Sequence, residues 1–156
     1  MRPVIIGIDP GLTGAYAVLS NGGTELIEYG ALQIVDGAIS SSQFGELLFK
    51  HQAEGTPPFF CIEEITPRPG QSVVGVKTSA VNFGRILGSL DAYGASYTTV
   101  RPSVWAAAML GKTAGKETAV LEAGKLFPVI RDLGKIKASA ISDAIFIARY
   151  AYQKGL

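Results

Sequence analysis

"VIIGIDPGLTGAYAVLSNGGTELIEYGAL", residues 4–32, decides the fold. An apolar run ends on a single acid, Asp9, breaks at Pro10, Gly11 and Gly14, and resumes as alternating small and apolar residues to Ser20. Residues 3–9 read as a strand buried on both faces and 14–20 as a second strand. The Asn21-Gly22-Gly23 turn then leads into a third strand over 24–32. Three antiparallel strands open the chain, and Asp9 sits where the first of them stops. From this stretch alone Asp9 is a turn residue, a partner of a nucleotide's metal, or a ligand of a catalytic metal ion.

The pattern continues outward from that hairpin pair. "SSQFGELLFKHQAEG" (41–55) has apolar residues at 44, 47 and 48, which predicts an amphipathic helix with a serine cap and a stop at Gly55. "PPFFCIEEI" (57–65) predicts a short strand ending in two acids, and 66–72 a loop. Residues 72–93 form a long helix with Ala80, Gly84, Gly88 and Ala92 four residues apart. That stripe of small side chains can meet either the sheet or a second copy of the chain. "ASYTTV" (95–100) is a further strand, Pro102 opens a short helix, "GKETAVLEAGKLFP" (115–128) is a helix closed by Pro128, and "SAISDAIFIARYAYQK" (139–154) is the last helix. Five strands and five helices in this order give an α/β fold, a mixed five-stranded sheet between helices, as one domain over residues 1–156.

Composition agrees with one well-packed domain: 47% apolar residues, 17% charged, and no linker or low-complexity tract. The single cysteine, Cys61, lies in an apolar run and cannot form an internal disulfide, which suits a buried residue in a reducing compartment. No leader pattern and no apolar window of about 18 residues is present, so a soluble, cytoplasmic protein is expected, without membrane contact. The net charge is only +1, yet residues 101–137 hold seven Lys or Arg against three acids. That third of the chain is the natural place for an anionic partner.

Three acids stand at element ends among apolar neighbours: Asp9 in "IGIDPG", Glu63 in "FCIEEI" and Asp143 in "AISDAIF". An unpaired carboxylate is costly to bury, so each needs compensation. Asp143 taken alone can serve a helix N-terminal dipole, and Glu64, on the opposite strand face from Glu63, can face solvent or pair with a lysine. Taken together, carboxylates from two strand ends and a helix suit Mg²⁺ and two-metal phosphodiester chemistry. Nucleotide binding finds no support. "LGKTAGKET" lacks the P-loop glycine, since Ala106 and Leu110 stand where it would be. The likeness of "GIDPGLTGA" to the phosphate hairpin of actin-like ATPases requires a second domain. One His and one Cys build no zinc site; His51 reads as a residue on the polar side of its helix, and Trp105 as a core anchor rather than a base-stacking group.

The ordered set "GIDPG", "IEE", "PGQS", "FGRILG", "VRPSVW", a lysine-bearing helix ending in "LFP", and "SDAIFIARYA" resembles RuvC-type Holliday junction resolvases, particularly compact phage forms. Each motif is weak alone, and the set covers nearly the whole chain in order. The resemblance implies an RNase H-like fold, a homodimer, and Mg²⁺-dependent paired nicking of four-way branched DNA, with Mn²⁺ as a substitute and two ions per site. It places the protein in the cytoplasm, that of the host if phage-encoded. It assigns Asp9, Glu63 and Asp143 as metal-binding catalytic acids and a metal-activated water as the nucleophile. For phosphate contacts the candidates are Arg68, Lys77, Arg85, Lys112 and Lys116, each of which is otherwise an ordinary surface charge.

Two positions depart from the family. A further acid normally stands three residues before the last one, one helical turn away; here it is Ala140. That gap implies an inactivated chain, by replacement or by natural variation, and keeps open a non-catalytic junction-binding protein. An RNase H-like RNA-processing factor is a further alternative. The loop after Glu63 has Arg68 between prolines where cellular members carry an aromatic wedge, so junction opening would rely on charge.

Overall fold

Side-chain alternation along β1 (Ile5–Asp9) divides the core in two. Ile5 faces one side of the sheet, and Ile6 and Ile8 the other. The computed structural model describes residues 3–52 and 55–156. β2 (Ala15–Ser20) and β3 (Glu25–Ala31) pair antiparallel beside β1, joined by a turn in which Asn21, Gly22 and Gly23 all take positive φ. The sequence predicts these three strands correctly to within a residue or two at each end.

Next comes a small hairpin that the sequence reading leaves as connection: β4 (Ile34–Val35) and β5 (Ala38–Ile39), turning on Asp36 and Gly37 at φ 50° and 76°. Asp-Gly is the strongest two-residue hairpin signal, but only two residues flank it on each side. Helix α1 (Ser42–Lys50) is shorter than expected. Its Ser41 makes no side-chain cap, Ser40 Oγ bonds Ser42 Oγ instead at 3.0 Å, and the helix stops at His51 rather than Gly55. Residues 53–54 of the expected helix lie outside the described residues.

β6 (Phe59–Glu63) and β7 (Tyr97–Val100) run parallel to β1, giving the order β3-β2-β1-β6-β7. Between them α2 (Val73–Ala92) starts at Ser72, whose side chain accepts from the Gly75 N–H at 3.0 Å. It buries Asn82, Ile86, Ser89 and Leu90. Its small-residue stripe faces away from the sheet: Ala80, Gly84, Gly88 and Ala92 are exposed, and side chains added at Gly84 and Gly88 would meet nothing within 4 Å.

After β7 come α3 (Pro102–Leu110), α4 (Lys116–Leu126), a 3-10 turn over Pro128–Asp132, and α5 (Lys135–Lys154). Pro128 therefore opens a 3-10 turn as well as ending α4, and α5 begins four residues before the expected 139. Helices α3, α4 and α5 cover the Ile5 face; α1 and α2 cover the Ile6 and Ile8 face. Cys61 is fully buried, and burial pushes its thiol up to about 12, so it is chemically inert. Among the described residues no helix is long and apolar enough to cross a membrane.

Candidate active site

Parallel pairing of β1 with β6 sets Gly7 opposite Cys61 and Ile8 opposite Ile62. The next residue on each strand is Asp9 and Glu63. Alternation turns both carboxylates toward the face that α5 covers, at the carboxyl ends of two neighbouring strands. Gly7 explains how α5 reaches them. A Cβ there would lie 2.0 Å from the Ala144 carbonyl oxygen and 2.7 Å from the Ala148 nitrogen, so helix backbone rests directly on the strand. Asp143, next to Ala144, is thereby brought to the same strand ends. It lies more than two turns beyond Lys135, too far into the helix to serve the N-terminal dipole. The turn after β1 is closed backbone to backbone, Gly14 N–H to the Gly11 carbonyl at 3.1 Å.

The three carboxylates are electrostatically coupled. Burial first, then repulsion from Glu63 and Asp143, pushes Asp9 up to about 8, with Lys116 and Arg68 pulling the other way. Burial and Glu63 push Asp143 up to about 7, against Lys116. Glu63 is also raised, by burial, although Trp105 Nε1–H donates to its Oε2 at 2.6 Å and Arg68 and Lys116 oppose the rise. All three acids are short of compensating positive charge, and perturbed carboxylates gathered at a cleft mark a candidate functional site.

An open cleft of about 780 Å³ begins at Asp9 and Glu63 and runs past Glu64, Arg68, Ser79 and Arg101. Glu64 accepts from Thr99 Oγ1 at 3.0 Å and pairs with Arg101 at 3.7 Å, so its partner is an arginine of the next strand's end rather than a lysine. Arg101, which follows β7 immediately before Pro102, is a charged cleft residue that the sequence reading does not place among the phosphate contacts. Of the expected phosphate contacts, Arg68 lines the cleft and Lys116 acts on all three acids. Lys77 and Lys112 are exposed and outside its lining. Arg85 points elsewhere, its Nε–H donating to the Ile39 carbonyl at 3.0 Å.

Among the described residues no three His, Cys, Asp or Glu side chains form a ready-made ion cage. Mg²⁺ rarely uses one; it is commonly held by one or two carboxylates, with waters and substrate phosphates completing its shell. Half-buried carboxylates that repel one another, offset only in part by Lys116 and Arg68, fit a hard divalent cation in donor type and in charge. Ala140 contributes no donor. It lines a cavity of about 200 Å³ with Thr13, Gly14 and Ile136, beside the turn that follows Asp9.

No protein-family model and no curated protein sequence matches the chain. Solved structures do share its fold over nearly its whole length. The Thermus thermophilus RuvC structure is 16% identical with a TM-score of 0.64, covering 97% of this chain and 96% of its own. T. thermophilus RuvC in complex with Holliday junction substrate is 18% identical with a TM-score of 0.66, covering 98% and 95%. The fold is therefore the RNase H-like one of RuvC, as the ordered motifs imply.

Proposed function

We propose that this chain is a RuvC-type endodeoxyribonuclease that nicks paired strands of four-way DNA junctions with Mg²⁺, two ions per site, as a homodimer. One observation carries the reading: Asp9 and Glu63, at the carboxyl ends of β1 and β6, and Asp143, on α5, gather as mutually repelling, half-buried carboxylates. The same fold in T. thermophilus RuvC is seen with a Holliday junction.

In this reading Asp9, which is coupled to both other acids, would contribute to both cation positions, and Glu63 and Asp143 would each complete one. Bound there, the cations supply charge stabilisation at the phosphoryl group and activation of the attacking water. Lys116 offsets the charge of all three acids and steers a phosphate toward them. Arg68 and Arg101 bind the phosphodiester backbone along the cleft, and Lys77, Arg85 and Lys112 make outer contacts on arms of the junction. Binding therefore weakens steeply with salt. The exposed small-residue face of α2 is the surface on which two copies meet, bringing two cleavage sites to one junction.

Ala140 favours a second reading, a junction-binding protein that does not cut. The two are separated by incubating labelled four-way junction, Y-fork and linear duplex in Mg²⁺ with this chain and with Ala140→Asp. The nuclease reading expects symmetric junction nicks that rise by orders of magnitude in Ala140→Asp. Tight junction binding with no nicking by either form establishes the second reading, and a rate unchanged by Ala140→Asp rejects the assignment of the fourth ligand position.

A further inference from the structure

Trp105 occupies the first turn of α3, placed there because Pro102 opens that helix directly after β7. β7 pairs in parallel with β6, Glu63 opposite Val100, so this turn arrives beside the Glu63 side chain. The indole is 5% exposed and packs in the core under α5 with Val100 and Ala123. Filling the core asks nothing of its N–H, yet Nε1–H donates to Glu63 Oε2 at 2.6 Å. The indole nitrogen is a donor only, and a short bond to a carboxylate is of the stronger, charge-assisted kind.

We infer that Trp105 is a positioning residue: its indole N–H fixes one carboxylate oxygen of Glu63 and so aims the other, Oε1, at the cation position. This rests on the reading above in which Glu63 is a metal ligand. A glutamate at a strand end has three rotatable side-chain bonds, and ordering it on each binding event costs free energy that a rigid, buried donor removes beforehand. The ring is locked by core packing, so the bond's direction is fixed by the fold. Ion-ligating carboxylates are commonly held this way by an outer partner, whose loss typically costs about 10- to 100-fold in metal affinity.

Trp105 is the only tryptophan in the chain, so its emission reports on Glu63 without a label. Calorimetric titration of the full chain with Mn²⁺ compares the unmodified protein with Trp105→Phe, which keeps an aromatic ring and loses the N–H, and with Glu63→Gln. The expected result is affinity about 10-fold weaker in Trp105→Phe and weaker still in Glu63→Gln. In the unmodified protein, added Ca²⁺ shifts Trp105 emission, and Glu63→Gln abolishes the shift; this arm holds even if Trp105→Phe fails to fold. Unchanged affinity in Trp105→Phe alongside weakened binding in Glu63→Gln overturns the role of Trp105 alone. Unchanged affinity in Glu63→Gln rejects the metal-site reading itself, and a Trp105 emission that ignores Ca²⁺ while the ion binds overturns the inference.

Discussion

Glu28 and Asp9 are carboxylates on the same sheet with opposite surroundings. Glu28, on β3, accepts from Tyr16 Oη at 2.9 Å, pairs with Lys50 at 2.9 Å and bonds His51 Nε2 at 2.7 Å. Burial pushes its carboxyl up, but the hydrogen bonds from Lys50, Tyr16 and His51 outweigh it and hold the group below the usual glutamate range. Asp9 has more burial, two acidic neighbours and cations that offset them only in part. One carboxylate is neutralised by the fold and ties α1 to the sheet edge. The other is left wanting a cation, at a cost in stability that an unused group would not carry.

The sharpest way to break this contrast is Asp9→Asn. Measured in the Ala140→Asp background, where nicking is expected to be fastest, junction cleavage is expected to fall by about a thousandfold, the scale of several kcal/mol of lost transition-state stabilisation. Without divalent ions the same change relieves repulsion, so the melting temperature rises by about 2–4 °C for each kcal/mol released. A variant that loses both cleavage and stability would make Asp9 a structural turn residue.

Gly7→Ala tests how Asp143 is delivered. The added methyl would overlap the Ala144 and Ala148 backbone of α5, and overpacking of this kind costs about 3 kcal/mol. A fall in melting temperature of about 6–12 °C is expected by circular dichroism, with cleavage lost as α5 is displaced. An unchanged melt would mean that α5 stands clear of β1.

These contrasts were unequally legible in the sequence. Asp9 and Glu63 stand out locally, because a charged residue closing an apolar strand is conspicuous without knowledge of the fold. Asp143 is visible only as an acid in an apolar helix; its place in the third turn depends on α5 starting at Lys135, where no capping side chain marks the start. The Trp105–Glu63 and Thr99–Glu64 bonds span 42 and 35 residues and exist because β6 and β7 pair in parallel, which no local pattern encodes. His51 illustrates the same limit. Its place on the polar side of α1 suggests solvent, yet its side chain is 7% exposed because β3 supplies Glu28 from 23 residues away.

Glu28→Gln gives the smallest effect and the cleanest control. The amide keeps an acceptor for Tyr16 and loses the charge that pairs with Lys50. At neutral pH the expected loss is about 1 kcal/mol, the scale of a solvent-screened ion pair, or about 2–4 °C in melting temperature. The pH dependence identifies its source. A carboxylate held below its unfolded value stabilises the protein above that value, and the contribution fades as pH falls through the folded one. The gap between the two melts should therefore be full at neutral pH, narrow as the medium is acidified below the usual glutamate range, and close once Glu28 is protonated in the folded protein. Tyr16 does not alter this trend, because burial and the bond to Glu28 keep its phenol protonated far above the pH window concerned. A gap that persists in acid would assign the loss to packing against Tyr16, and Glu28 would no longer serve as the neutralised counterpart of Asp9.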